Sequence, residues 1–343
     1  MSNYLGMSEN YSNNSHAQSI CHFFAKDLLI KAAEECVPTK NIINIAVYGC
    51  GPGDNDLDAI RKYIIPILYR RFPQNTIKIF MIDIKNTKWC EIKKINNILI
   101  QGITADLYTK ILTNNSVDIG LSFSCIHWID KLPKNINNKK YCWSLLNHED
   151  KDIIADILKT RLNKFMLARN EELTKNGQLI LTCDGYSKNS LHHFQKLSEL
   201  ISIYLNNKFN NLPDKLLNKF FLFTGPRKIS DIEYCINNIN NLNYNKGEIF
   251  IKTAECPYLD KYINKTNRIN DVTELKNAKK QYATDITDSI MSCITPQIEY
   301  LLDNDYIFEI IDNIRKNLLS LVINSHIDRF TTKGDVLVFR CYK

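Results

Sequence analysis

The chain reads as an α/β protein built on a doubly wound, mostly parallel sheet, and three observations predict it. Apolar runs of strand length alternate with helical patterns through the first half of the chain. A glycine-rich turn joins the first such run to the helix that follows it. Two further strand-like runs, near 247–253 and 335–340, sit late in the chain around a long helical connection. Strands that alternate with helices form parallel sheets because a parallel crossover needs a helix to return the chain.

The elements follow in order. Tyr11, Ser15 and Gln18 fall at helical spacing, so an N-terminal helix puts all three on one face. Ile42 to Val47 is the first strand, and Gly49-Cys50-Gly51-Pro52-Gly53 turns the chain into a helix. The second strand, 77–82, ends in Asp83; the third, 97–102, leads to Asp106; the fourth, 117–123, ends at Ser124-Cys125-Ile126-His127-Trp128. An amphipathic helix over 150–173, with Ile153, Ile157, Leu158, Leu162 and Phe165 in period, precedes Asn176-Gly177 and a fifth strand at 178–182. A helix is expected over 190–205, irregular chain over 206–228 and a helix from Ile229. The segment 256–305 carries helical pieces and no strand. The sum is seven strands in a Rossmann-like sheet with a helical cap. As domains, 1–40 is a helical segment closing the site, 41–205 the cofactor-binding core, 206–310 the cap with its returning strand, and 311–343 the last helix and strand.

The G-x-G-x-G loop marks a nucleotide-type cofactor, because alternate glycines let backbone approach a ligand closely. A dinucleotide site needs a third glycine two positions further on, where this chain has Asn55-Asp56. Asp54, Asp56 and Asp58 load the helix start with negative charge, which opposes phosphate and suits a cation. S-adenosylmethionine, a sulfonium without phosphate, fits both facts. Asp83 then stands where a carboxylate takes two ribose hydroxyls, and Asp106 where one accepts from the adenine amino group.

Composition narrows the class. A hydrophobic share of 44% supplies a sizeable core. The eleven cysteines form no CxxC pair and no metal-ligand spacing, so reduced thiols in a cytoplasmic protein and no metal are expected. Cys50, Cys125 and Cys183 read as small core fillers. The longest apolar runs, such as 318–323, are too short to span a bilayer. The formal charge of +7 is spread out, and its densest cluster, Lys134 to Lys140, is an Asn-rich loop; nucleic acid is a disfavoured partner.

Taken together, Tyr11-x-x-x-Ser15-x-x-Gln18, Gly49-Cys50, Asn55, Asp83 and Trp128 resemble the SABATH family of S-adenosylmethionine-dependent methyltransferases, nearly end to end. The resemblance implies that Ser15 and Asn55 contact the methyl donor along with Gly49, Gly51 and Gly53. It sets Asp83 and Ile84 around ribose and adenine, Asp106 and Leu107 at the adenine, and Ser122 and Phe123 beside it. It implies that Gln18 and Trp128 hold the carboxylate of a small-molecule acid through side-chain N–H groups, with Tyr11, Ser124 and His127 lining that acceptor site. The chain departs from the pattern at Val47, where the family has aspartate, and at Ser124, where it has tyrosine. A homodimer is compatible with the family.

Methyl transfer to a carboxylate needs no general base, since the acid is already ionised at neutral pH. Position and desolvation carry the reaction. Gln18, His127 and Trp128 are therefore the candidate catalytic residues. If the acceptor is a nitrogen or hydroxyl of a small molecule, a neutral His127 would take its proton. An RNA or protein methyltransferase and a donor-binding protein without activity are the remaining readings.

Overall fold

The computed structural model describes residues 16–84, 93–129, 133, 136, 143–186, 220–221, 224–238, 244–254, 257–302, 307–324 and 334–343. Tyr11, Ser15, the helix expected over 190–205 and most of the irregular stretch 206–228 lie outside the described residues. Side chains are described from Ser19 onward, so Gln18 is placed by its backbone alone.

Two helices, α1 (His16–Phe24) and α2 (Lys26–Glu35), lead into β1 (Ile42–Tyr48). After the glycine loop, α3 (Asp54–Ala59) passes through a π turn, Ile60–Ile64, into α4 (Ile65–Arg71). Pro66 explains the turn: it has no N–H and its ring crowds the carbonyl four residues back, so the ladder widens and Ile65 N–H reaches Ile60 C=O. Then come β2 (Thr76–Asp83), β3 (Lys93–Ile95), β4 (Ile98–Thr104) and β5 (Val117–Phe123). The helix α5 (His148–Glu172) starts at Asn147, whose side chain accepts from Asp150 N–H at 2.7 Å, and runs into β6 (Leu173–Asp184). The remaining elements are α6 (Ile229–Asn238), β7 (Asn245–Ala254), α7 (Pro257–Thr266), α8 (Val272–Leu301), α9 (Ile307–Asn324) and β8 (Gly334–Tyr342).

Eight strands form one sheet in the order β3-β4-β2-β1-β5-β6-β8-β7. Seven are those expected, with β1, β2, β4, β5 and β6 parallel and β8 antiparallel between β6 and β7. The eighth, β3, corrects the expected count: it pairs antiparallel with β4 across a tight turn in which Asn96 takes φ 54°. Asparagine tolerates that conformation, and the exposed Lys94 suits an edge strand.

Side chains alternate across the sheet to feed two cores. Ile43, Ile45 and Val47 face α1–α4 with Leu28, Leu29, Ile60 and Leu68, whereas Ala46 and Tyr48 face α5 and α6 with Leu162, Phe165 and Ile232. A third cluster belongs to α7, α8 and α9, and Trp128 packs into it. The chain leaves β1 toward β2 and β4 on one side and returns to β5 and β6 on the other. That reversal opens a crevice at the carboxyl ends of β1 and β5, the usual ligand position in such sheets.

Candidate active site

The glycine loop lies at this crevice and is tied to the neighbouring strand. Gly49 and Cys50 both donate N–H to Ile82 C=O, at 2.8 and 3.2 Å. Gly49, Gly51 and Gly53 have φ of 77°, 54° and 83°, a left-handed run that disfavours other residues. A Cβ on Gly49 would fall 2.0 Å from Cys125 Sγ, so the loop after β5 packs directly on this turn. A Cβ on Gly51 would meet no atom within 4 Å, so here the backbone faces open space. Asp83 anchors the loop: Oδ2 accepts from Gly51 N–H and Oδ1 from Ile84 N–H, both at 2.7 Å. A carboxylate oxygen accepts more than one bond, so this anchoring is compatible with hydroxyl donors from a ligand.

The helix that opens at Asp54 carries Asn55 half-buried beside the loop. Its Asp56 is buried against His22 of α1, with Nε2 and Oδ1 3.2 Å apart, and the His22 ring lies 4.3 Å from that of Phe123. One histidine thus joins the N-terminal helix to the glycine loop and to the end of β5. A groove of about 490 Å³ opens between α1, α3 and the π turn, lined by Ser19, His22, Phe23, Asn55, Arg61 and Lys62 among others; Asp83 does not line it.

Asp106 is exposed near the start of the loop after β4, where Oδ1 accepts from Tyr108 N–H at 3.0 Å and its carbonyl from Thr109 N–H at 3.0 Å. Leu107 is buried beneath it. This loop is stapled from below by a buried ion pair. Arg169 donates to the carbonyls of Leu107 and Thr109 at 2.6 and 2.7 Å and to Glu172 Oε1 at 2.9 Å. Glu172 accepts from Ile111 and Leu112 N–H at 2.6 and 3.0 Å and from the Tyr48 hydroxyl at 2.6 Å. Burial pushes the Tyr48 phenol well above its ordinary value, so it stays a donor to Glu172.

Beyond β5, Ser122 is fully buried, Phe123 packs on His22, and Ser124 takes φ 50° with its N–H on Thr182 C=O at 3.0 Å. Ile126 C=O accepts from Arg227 Nη2 at 2.5 Å, while Nη1 of the same buried guanidinium holds Leu158 C=O at 2.8 Å. His127 is 2% exposed. Its Nδ1 accepts from Asp184 N–H at 3.3 Å, which leaves the proton of a neutral ring on Nε2, 3.9 Å from Asp184 Oδ2. The Trp128 indole N–H, expected to face the acceptor, donates to Ser124 C=O at 3.3 Å, so holding a carboxylate requires it to exchange one acceptor for another. The thiols do not compete as nucleophiles. Burial pushes that of Cys183 up to about 12 and raises those of Cys50 and Cys125.

Residues 5–333, nearly the whole chain, match the family described as SAM dependent carboxyl methyltransferase. The chain belongs to this SABATH methyltransferase family. Among curated proteins it is 25% identical over 159 residues to farnesoic acid carboxyl-O-methyltransferase of Arabidopsis thaliana, covering 42% of this chain and 46% of that one. It is 25% identical over 198 residues to salicylate/benzoate carboxyl methyltransferase of the same plant, covering 51% and 52%. The chain thus spans about half the length of these relatives. The solved structure of loganic acid methyltransferase with SAH superposes at a TM-score of 0.71 over 99% of this chain and 98% of that one, at 15% identity, and shares its fold.

S-adenosylmethionine is the methyl donor of a SAM-dependent family, and the residues present fit it. The open space over Gly51 and the Asp83 carboxylate at the loop are the cradle such a ligand needs. Four buried charged residues around these loops have no sequence signal of their own. Arg169 and Glu172 pair locally but reach the 107–112 segment and Tyr48 across the fold, and Arg227 and Asp184 likewise contact Ile126 and His127 from far along the chain.

Proposed function

We propose that this chain is an S-adenosylmethionine-dependent methyltransferase that methylates the carboxylate of a small-molecule acid. The observation that carries the reading is the Gly51–Asp83 anchor in the crevice beside the His127–Trp128 loop, in a chain of the carboxyl methyltransferase family. The donor, when bound, supplies an electrophilic methyl group on sulfur. The protein's part is to bind, orient and exclude water. Asp83 and Ile84 take the ribose and adenine end, with Asp106 and Leu107 over the base and Ser15 and Asn55 at the amino-acid end. Gln18 and Trp128 orient the acceptor carboxylate through neutral N–H groups, which leave the oxyanion its nucleophilicity. Tyr11 and Ser124 complete the acceptor side. Residues 1–40 close the site from above, and 206–310 form its cap, a division supported by the docking of α1 through His22 and of the α7–α9 cluster through Trp128.

His127 enters this reading as an N–H donor and not as a base, because its Nδ1 is engaged by the Asp184 amide. That orientation favours a carboxylate acceptor over an amine or hydroxyl that must lose a proton. No described helix is long and apolar enough to cross a membrane, and the buried thiols suit a cytoplasmic setting. The test is methyl transfer from labelled donor to a panel of small carboxylic acids, with small amines, phenols and RNA in parallel. Labelled esters from the acids support the proposal, and label confined to the other acceptors refutes it.

A further inference from the structure

Asp56 is the acid of the glycine-loop helix that the fold takes out of water. Asp54 is half-buried and Asp58 exposed, whereas Asp56 is 6% exposed. Such burial strips a carboxylate of hydration, and a hydrogen bond from a facing donor offsets the loss. The facing group comes from α1: His22, itself 7% exposed, sets Nε2 3.2 Å from Asp56 Oδ1. The His22 ring also lies 4.3 Å from that of Phe123 at the end of β5. With nine residues α1 is too short to hold its place unaided, so its position over the loop comes from what it buries. Among its described side chains Cys21 and His22 are the buried ones, and of these His22 makes the directional contact to α3.

Two observations set this contact beside the donor. Asp56 follows Asn55 in α3, and Asn55 lines one groove with Ser19, His22 and Phe23 of α1. Asp56 also stands three residues past Gly53, whose φ of 83° and N–H bond to Cys50 C=O at 3.0 Å close the loop that Asp83 anchors. We propose that His22 is a positioning residue for the methyl donor: its contact with Asp56 docks the N-terminal helix on the glycine-loop helix, and donor affinity depends on that docking. The inference rests on the S-adenosylmethionine site at the glycine loop and holds whichever acceptor the chain methylates. Linkage makes it reciprocal, since docking that raises donor affinity is itself strengthened when the donor binds.

The test is calorimetric binding of S-adenosylmethionine, and separately of its demethylated product, to the full chain without any acceptor. His22→Leu and Asp56→Leu should each weaken binding of both ligands about tenfold. The double variant should lose about the same factor rather than about a hundredfold, because all three lack one and the same contact. His22→Gln, which keeps an N–H on a side chain of similar reach, should recover most of the loss. Leu29→Ala, in the buried core of α2, lowers the urea midpoint by opening a cavity and should leave donor affinity unchanged. Hydrogen exchange on the unaltered protein reads the coupling from the other side: saturating donor should slow the amides of 19–24 together with those of 49–56. Unchanged donor affinity in His22→Leu, an equal loss in Leu29→Ala, or losses that multiply in the double variant overturn the positioning role and leave the donor site standing. Protection of the loop without protection of α1 does the same, and decides the matter even if the leucine variants do not fold. An unaltered protein that binds neither ligand overturns the donor site and the positioning role with it.

Discussion

At the scale of single residues the proposed site separates into side chains assigned to the donor and side chains assigned to the acceptor. Asp83 belongs to the first group twice over, since the carboxylate that would meet ribose also fixes Gly51 and Ile84. Asp83→Ala should therefore weaken S-adenosylmethionine binding more than tenfold, on the order of 2–3 kcal/mol for lost bonds to a charged group; calorimetric affinity equal to that of the parent would remove Asp83 from the site. On the acceptor side the ranking of three variants is informative. Gln18→Ala and Trp128→Phe each delete a donor to the oxyanion and should cost about 1–3 kcal/mol in kcat/KM. His127→Met should retain most activity, because a carboxylate has no proton to lose. Abolished turnover in His127→Met beside mild loss in Gln18→Ala, with a pH–rate limb near the imidazole range, would point instead to an acceptor that must be deprotonated.

Among the elements, the loop after β4 depends on α5 for its shape. Arg169 and Glu172 together bind five backbone groups or side chains of the 107–112 segment and β1, and both are fully buried. Arg169→Met leaves Glu172 buried without its cation, so it should destabilise the fold by about 3–5 kcal/mol in urea unfolding. Hydrogen exchange should rise first in the 105–112 loop. If the loss were spread evenly over the sheet with this loop unaffected, the staple would not be what shapes it. This pair also marks how far the sequence could be read. The core strands were legible because runs such as Val117–Phe123 are buried on both faces and so read as continuous apolar segments. The edge strand β3 was not, since Lys93-Lys94-Ile95 owes its conformation to pairing with β4. The glycine loop and Asp83 were legible because turn chemistry and the strand-end acid are local. His127 and Trp128 carried meaning only through the family resemblance, and Arg169 meets Leu107 across 62 positions, a contact no local pattern encodes.

For the molecule as a whole, the end of β5 and the loop after it pack on α1 through His22 and on the α7–α9 cluster through Trp128, so that burying an acid there costs the stability of the entire fold. Asp184 is such an acid, and the sign of its effect follows from linkage. Its proton is held more tightly in the folded chain, at about 7, than in the unfolded one, at 3.8. Its contribution is therefore fully present below the unfolded value and is lost as pH rises through the folded one, a total of about 4 kcal/mol at most. Asparagine has nearly the same shape and no charge to bury. Asp184→Asn should accordingly match the parent near pH 4, gain on it steadily between about pH 4 and pH 7, and hold a constant advantage above that. Urea unfolding of both proteins at about pH 5, 6 and 8 reads the difference directly, with other titrating groups cancelling between them. An advantage that stays constant across this range would mean that the carboxyl ionises as readily inside the fold as outside it, and that the junction of α1, the β5 loop and α8 is open to water.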